Sequence, residues 1–321
     1  MACRYLLASL LTFFTATCAT AADWRPERPI KITVPYAAGG SADVIARVVA
    51  QRIRTELGQP VIVENKPGAG TIIGAMAVAK APADGYSLLL ATSTTMSIAP
   101  LVQKQIPYSP SQFVPVAGFM SVPFMVLVNK DLPVNTVQDL VALSRSKPGV
   151  LNYGTLGTGT SNHVLGALLS TAAGDSMVAV HYTSAGPALI GLERGDIHVY
   201  FDGIPTSVHK VASGQYKGIA VTSKTRIPGV SNVPTVFEQG FPQVGLSVWY
   251  GLVAPADTPA NIISTLNAAV RAAISDPDVT AQITRDGTQP LLLDPQAFQR
   301  LIDQDASSWR TAFSTLQLKL D

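Results

Sequence analysis

Residues 34–47 read VPYAAGGSADVIAR. Val34 closes an apolar, strand-like segment that begins at Ile30. Pro35 and the pair Gly39-Gly40 interrupt it, and an amphipathic helical pattern follows from Ala42 to Leu57. Ser41 or Asp43 is suited to cap that helix. A helix start presents free N–H groups and a partial positive charge, so an anion fits there without a cationic side chain. Glycine lets an oxygen ligand approach the backbone closely. The alternative reading is an ordinary strand-to-helix turn that binds nothing.

A second stretch, Asn152 to His163 (NYGTLGTGTSNH), repeats the order strand, glycine-rich loop, helix. It lacks the lysine of a nucleoside-triphosphate loop. Asn162 stands where a dinucleotide fingerprint needs its third glycine. Two neutral anion cradles so far apart predict one per lobe, facing each other over a cleft.

The rest of the chain alternates. Strand-like runs fall at Ile30–Val34, Val61–Glu64, Ser87–Ala91, Phe124–Val128, Leu151–Gly154, Val178–Tyr182, His198–Phe201 and Lys217–Val221. Helical patterns lie between them, and after Trp249–Ala254 the pattern is mostly helical. Strands separated by helices predict an α/β protein with parallel sheets and crossover helices. Helices at the end of the chain fit one lobe whose last piece returns after a second lobe has been inserted. The expected organisation is lobe I over 23–123 plus 248–321 and lobe II over 124–247.

Residues 1–22 carry Arg4, an apolar run and the small residues Ala19-Thr20-Ala21-Ala22, the pattern of a secretory signal peptide cleaved near Ala21-Ala22. The apolar run is too short for a membrane span. Cys3 and Cys18 both fall inside this segment, so the mature chain is expected to have neither a disulfide nor a cysteine nucleophile. Removing Arg4 leaves 22 basic residues (23 − 1) against 21 acidic ones, a formal charge of +1. That balance gives no reason to expect nucleic acid or an anionic membrane surface as partner.

Seven blocks, in order, carry a family resemblance. They are VPYAAGGSADVIAR, ENKPGAGTIIGAMAVAKAPADGYSLLLATST, PSQFVPVAGF, YGTLGTGTSNHVLGALL, GLERGDIHVYFDGIP, GIAVTSKTRIPGVSNVPTVFEQGFP and VWYGLVAPADTP. The chain resembles the periplasmic solute-binding proteins of tripartite tricarboxylate transporters, the Bug group. The resemblance implies a type II periplasmic-binding-protein fold, two α/β lobes with a hinge and a ligand cleft. It also implies a monomer that takes a small carboxylate, with no cofactor or metal, and passes it to a two-component integral membrane permease. The solute classes it implies are citrate-like acids, dicarboxylates, aromatic carboxylates, nicotinate and acidic amino acids. Carried over by motif, the ligand loops are Tyr36, Ala38, Gly39, Gly40 and Ser41 on one lobe. On the other they are Thr155, Gly157, Thr158, Gly159, Thr160 and Ser161. Where the family often reads V-P-Y-K/R-G-x-x-P-A, this chain has Val180-His181-Tyr182-Thr183-Ser184-Ala185-Gly186-Pro187-Ala188. Thr183 in place of the basic residue makes this segment a point at which specificity departs from the family pattern.

Other residues carry two readings each. Ser93, Thr94 and Thr95 follow a strand whose end opens on a cleft, where they hold the ligand's far end or cap their own backbone. Asp202 is placed to take a ligand amine or hydroxyl, His163 to face the cleft or pack in the core, and Trp249 to wall the pocket near the hinge. Asp43 and Arg47, four apart on a helix, read as a surface ion pair. His198 and His209 read as solvated or structural. Two competing functions remain. One is a ligand-loaded receptor for a membrane sensor kinase. The other is an exported enzyme using Ser161, His163 and Asp202, although no G-x-S-x-G or H-E-x-x-H motif is present.

Overall fold

The computed structural model describes residues 24–103, 105–285 and 287–316. The leader expected over residues 1–22 lies outside these. The elements are β1 (Ile30–Val34), α1 (Ser41–Leu57), β2 (Val61–Asn65), α2 (Ile72–Ala79), β3 (Ser87–Thr92), α3 (Ala99–Val102) and β4 (Phe113–Val128). They continue as α4 (Val137–Ser146), β5 (Asn152–Thr155), α5 (Ser161–Ala172), β6 (Val178–His181), α6 (Ala185–Arg194), β7 (Val199–Gly203), α7 (Ile204–Ala212) and β8 (Lys217–Val221). The last are β9 (Ser247–Pro255), α8 (Ala260–Ser275), α9 (Pro277–Arg285), β10 (Gln289–Leu293) and α10 (Pro295–Leu316).

Helix α1 shows how the opening stretch folds. Ala42, Ile45, Ala46, Val49, Ala50 and Ile53 are buried, a repeat of three and four that keeps one stripe of the helix on the core. They join Ile30, Ile32 and Val34 of β1 in the same apolar cluster. Burying each larger side chain contributes about 1.5–3 kcal/mol. The helix ends at Gly58, whose φ of 65° is the left-handed stop that glycine adopts without strain.

Strands β2, β1 and β3 pair in parallel in the first lobe, and β6, β5 and β7 in the second. The expectation of parallel sheets holds for these crossover units alone. Strand β4 runs antiparallel to β9 and β10 in the first lobe and antiparallel to β7 and β8 in the second. It begins at Phe113, well before the Phe124 read from the sequence. Pro115, Gly118 and Pro123 disguise its first half. The register shifts near Pro115 and Gly118, as strands that carry such residues do. Strand β10, a short run beside Pro290, was not legible either.

Strand β4 changes partners between two adjacent residues. Pro123 faces Ser247 of β9, and Phe124 faces Gly203 of β7. Thr222 stitches this crossing. Phe124 N–H donates to its Oγ1 at 2.8 Å, that hydroxyl donates to Leu246 O at 2.5 Å, and Thr222 N–H donates to Phe124 O at 2.9 Å.

Candidate functional site

Four helices begin on one cleft between the lobes. The residues before their first turns are Gly40 (α1), Thr160 (α5), Ser184 (α6) and Gly203 (α7); none has a side-chain cap bond, and all four line the cleft. Helices α1, α5 and α7 follow strands β1, β5 and β7, so their N-termini gather at the strand ends as the chain topology dictates. Each start leaves backbone N–H groups without intrahelical partners and carries about +0.5 of an elementary charge. The space they surround is about 830 Å³, its open mouth included.

No lysine or arginine lines this cleft among the described residues, and Asp202 is its single carboxylate. Burial pushes Asp202 up to about 6, against the hydrogen bond from Thr206, the field of Lys210 and the Gly203 N–H. Tyr36, Tyr200 and Tyr250 also line the space, and burial pushes all three phenols up, so they remain neutral hydrogen-bonding groups. The site combines backbone dipoles, hydroxyls and aromatic walls, which suits a small anion with an apolar body.

Of the residues read from sequence, Tyr36, Gly40, Ser41, Thr94, Thr160, Ser161, Thr183 and Asp202 line the cleft. The others lie off its surface, most of them shaping what does. Ala38 and Gly39 are exposed at the turn, and Gly39, at φ 83°, donates its N–H to Asp43 Oδ2 at 2.9 Å. Asp43 is thus a buried loop anchor and not a surface partner. It also takes Arg47 Nε at 3.1 Å and Asn65 Nδ2 at 3.0 Å. Burial alone would raise its carboxyl, but Arg47, Gly39 and Asn65 together hold it below the ordinary value.

The second loop is built similarly. Thr155 Oγ1 accepts from Gly157 N–H at 3.1 Å and lies 3.3 Å from Thr160 Oγ1. Thr158 O accepts from Gln103 of the first lobe, and Gly159 packs against Val102. Gly159 N–H donates to His163 Nδ1 at 3.1 Å. His163 is buried and turned away from the cleft, edge-on to His181 at 5.4 Å, on a separate cavity that Tyr153 and Met177 also line. Ser93 Oγ lies 3.5 Å from Trp249 N, behind the cleft. His198 is half-buried and bound to Asn152.

The triad drawn from Ser161, His163 and Asp202 is not assembled. Ser161 Oγ pairs with Thr94 Oγ1 at 2.8 Å, His163 Nδ1 with Gly159, and Asp202 with Thr206. Among the described residues no group of three or more His, Cys, Asp or Glu is placed to hold a metal ion.

Several lining residues were missed. Tyr200, Phe124 and Tyr250 come from strands whose cleft-facing side no local pattern reveals. Asn162 lines the cleft where His163 was singled out. It accepts from Thr160 Oγ1 at 2.7 Å and donates to Tyr200 OH at 3.5 Å. The run Gly68-Ala69-Gly70-Thr71 has positive φ at all four residues, and Gly68, Gly70 and Thr71 reach the cleft. Its Gly-Ala-Gly run belongs to the second block of the family resemblance, where no ligand role was expected.

The family model described as "tripartite tricarboxylate transporter family receptor" matches residues 45–318. The fold is similar to the periplasmic binding protein BugD, at TM-score 0.87 and 31% identity over 92% of this chain and 99% of that one. It is also similar to Rpa4515 of Rhodopseudomonas palustris, solved with adipate, at TM-score 0.87 and 32% identity over 91% and 98% of the two chains. MatC of the same organism, solved with bound malate, gives TM-score 0.83 and 31% identity over 88% and 98%.

Proposed function

The chain belongs to the tripartite tricarboxylate transporter receptor family, and on that premise we propose that it captures a small carboxylate between its lobes for delivery to a two-component membrane permease. The family's solved members include periplasmic binding proteins, and the coarse role is therefore that of a periplasmic solute-binding protein. The finer reading is a di- or tricarboxylate, or an aromatic carboxylate, held by the starts of α1 and α5. The relatives solved with adipate and malate support that class.

The observation that carries the reading is the convergence of four helix starts, none capped by its own N-cap side chain, on a cleft without a cation; at α5 the Ser161 N–H is already held by Thr94 Oγ1 at 3.2 Å. Lobe I is taken as 23–123 plus 248–321 and lobe II as 124–247, closing about the crossing near Phe124. Recognition then rests on short-range dipoles and hydroxyls, with Thr183 lining the cleft at the position where the family resemblance implies a basic residue.

Calorimetry with malate, adipate and citrate tests it. Affinity for the best acid changes little between about 20 and 500 mM salt, because close contacts in a closed cleft are screened far less than surface charges. The matching carboxamide, which sets donors against donors, binds roughly a hundredfold more weakly. Affinity that collapses with salt, or an amide that binds as well as the acid, refutes this recognition mode.

A further inference from the structure

The starts of α1 and α7 meet across the cleft too closely for a side chain at Gly203. A Cβ there would lie 2.2 Å from Ser41 Oγ and 2.8 Å from Ser41 Cβ. Gly203 itself has φ −65° and ψ 141°, which any residue adopts, so its bare backbone serves the approach of the two helices and not a turn. Next to this contact, Thr206 Oγ1 stands 3.0 Å from Ser41 Oγ, 2.8 Å from Asp202 Oδ2 and 2.9 Å from Gly203 O. A hydroxyl has one proton, and an ionised carboxylate is the strongest acceptor among these three. Thr206 therefore donates to Asp202 and is left to accept from the Ser41 hydroxyl. Asp202 and Thr206 are in the second lobe and Ser41 in the first, so the relay spans the cleft.

We propose that Thr206, which does not itself line the cleft, is a closure latch. It is oriented by Asp202 and accepts from Ser41 when the lobes are together, and so lengthens the stay of the bound solute. The proposal rests on the carboxylate-capture reading above for its ligand, but not for its geometry. A latch that forms after encounter acts on release more than on capture. The Thr94–Ser161 pair, at 2.8 Å, is a second bond across the lobes, so loss of one latch loosens the closed form without abolishing it.

Thr206→Val keeps the shape and removes the hydroxyl, and Thr206→Ser restores it. Gly203→Ala places a wedge under Ser41 while remaining compatible with the local backbone. Stopped-flow kinetics with malate and adipate as probes should show Thr206→Val releasing the bound acid roughly tenfold faster or more, with association changed by less than about twofold. Thr206→Ser returns to the wild-type rate, and Gly203→Ala behaves like the valine. A purely structural threonine would instead lower the ligand-free melting temperature and leave release alone. A folded Thr206→Val protein with wild-type release overturns the proposal.

If the wild type binds neither acid, the kinetic test has no probe and the latch is decided by cross-linking alone. With Cys3 and Cys18 changed to serine, Ser41→Cys/Thr206→Cys should form a disulfide readily under mild oxidation. Failure to cross-link overturns the latch.

Discussion

The indole N–H of Trp249, in the strand that re-enters the first lobe, donates to Oδ2 of Asp305 on α10 at 2.8 Å. Its ring sits edge-on to Phe298 of the same helix, with centroids 5.2 Å apart. Successive strand residues point to opposite faces, so Tyr250 takes the cleft side that the sequence had offered to Trp249. The C-terminal helix thereby clamps the back of β9. Asp305→Ala leaves the indole N–H buried without an acceptor, which costs about 1–3 kcal/mol. Asp305→Asn keeps an acceptor and loses less. Thermal melting of the two variants checks this, and an alanine variant as stable as wild type would show that the bond contributes nothing.

The first cradle separates two adjacent glycines. Gly39 needs its positive φ but faces solvent, whereas Gly40, at φ −83° and ψ 169°, has a backbone open to any residue and lies on the cleft. Gly39→Ala should destabilise by about 1 kcal/mol while binding persists. Gly40→Val should fold normally and bind at least roughly tenfold more weakly, because its side chain covers the helix start. Melting curves and calorimetry on both variants would expose a reversed order.

Asp202 makes stability depend on pH with a definite sign. Its carboxyl rises from 3.8 to about 6, chiefly through burial; the Lys210 ammonium and the phenols of Tyr200, Tyr216 and Tyr250 share its field. Between about pH 4 and 6 the folded chain holds a proton that the unfolded chain has released, so this group destabilises the fold above pH 6 and the penalty is relieved as pH falls towards 4. Asp202→Asn keeps an acceptor for Thr206 and removes the buried charge. Its melting temperature should exceed wild type at pH 7.5, with a gain of up to about 3 kcal/mol. The gap should close near pH 4. A gap that widens on acidification contradicts the assignment.

Thr222 joins the two crossings of the chain between lobes. Thr222→Val strands the Phe124 N–H and the Leu246 carbonyl at a buried joint and should destabilise by about 1–3 kcal/mol. Hydrogen exchange at Phe124 offers a local readout; continued protection there would mean that another acceptor has replaced the hydroxyl.

Much of the cleft was legible because its signals are local. Gly39-Gly40 and the Gly157-x-Gly159 loop mark where strands stop and helices start, and five of the eleven residues drawn from those two loops line the cleft. Apart from the run 68–71, the misses have a non-local cause. Asn162 and His163 are adjacent on a helix start, and which of them turns inward depends on Tyr200, Tyr153 and His181, all distant in sequence. The first half of β4 was hidden because two prolines and a glycine break a strand pattern that partners on both sides nevertheless hold in place.

The amino-acid sequence by itself determined the alternation of strands and helices, the two bare strand-to-helix loops and the lack of a cationic side chain in either loop. Backbone propensity and hydrophobic period act over a few residues, and these features need nothing more. Tertiary structure alone decided which amides face the cleft and which hydroxyls meet across it. Gly39 N–H is taken up by Asp43 while Gly40 lines the cleft, an outcome fixed by a carboxylate that Asn65 and Arg47 hold from outside the turn. Ser41 and Thr206 are 165 residues apart, and no local pattern encodes a 3.0 Å contact between them. That distance follows from the packing of two lobes around a strand whose partners change between Pro123 and Phe124.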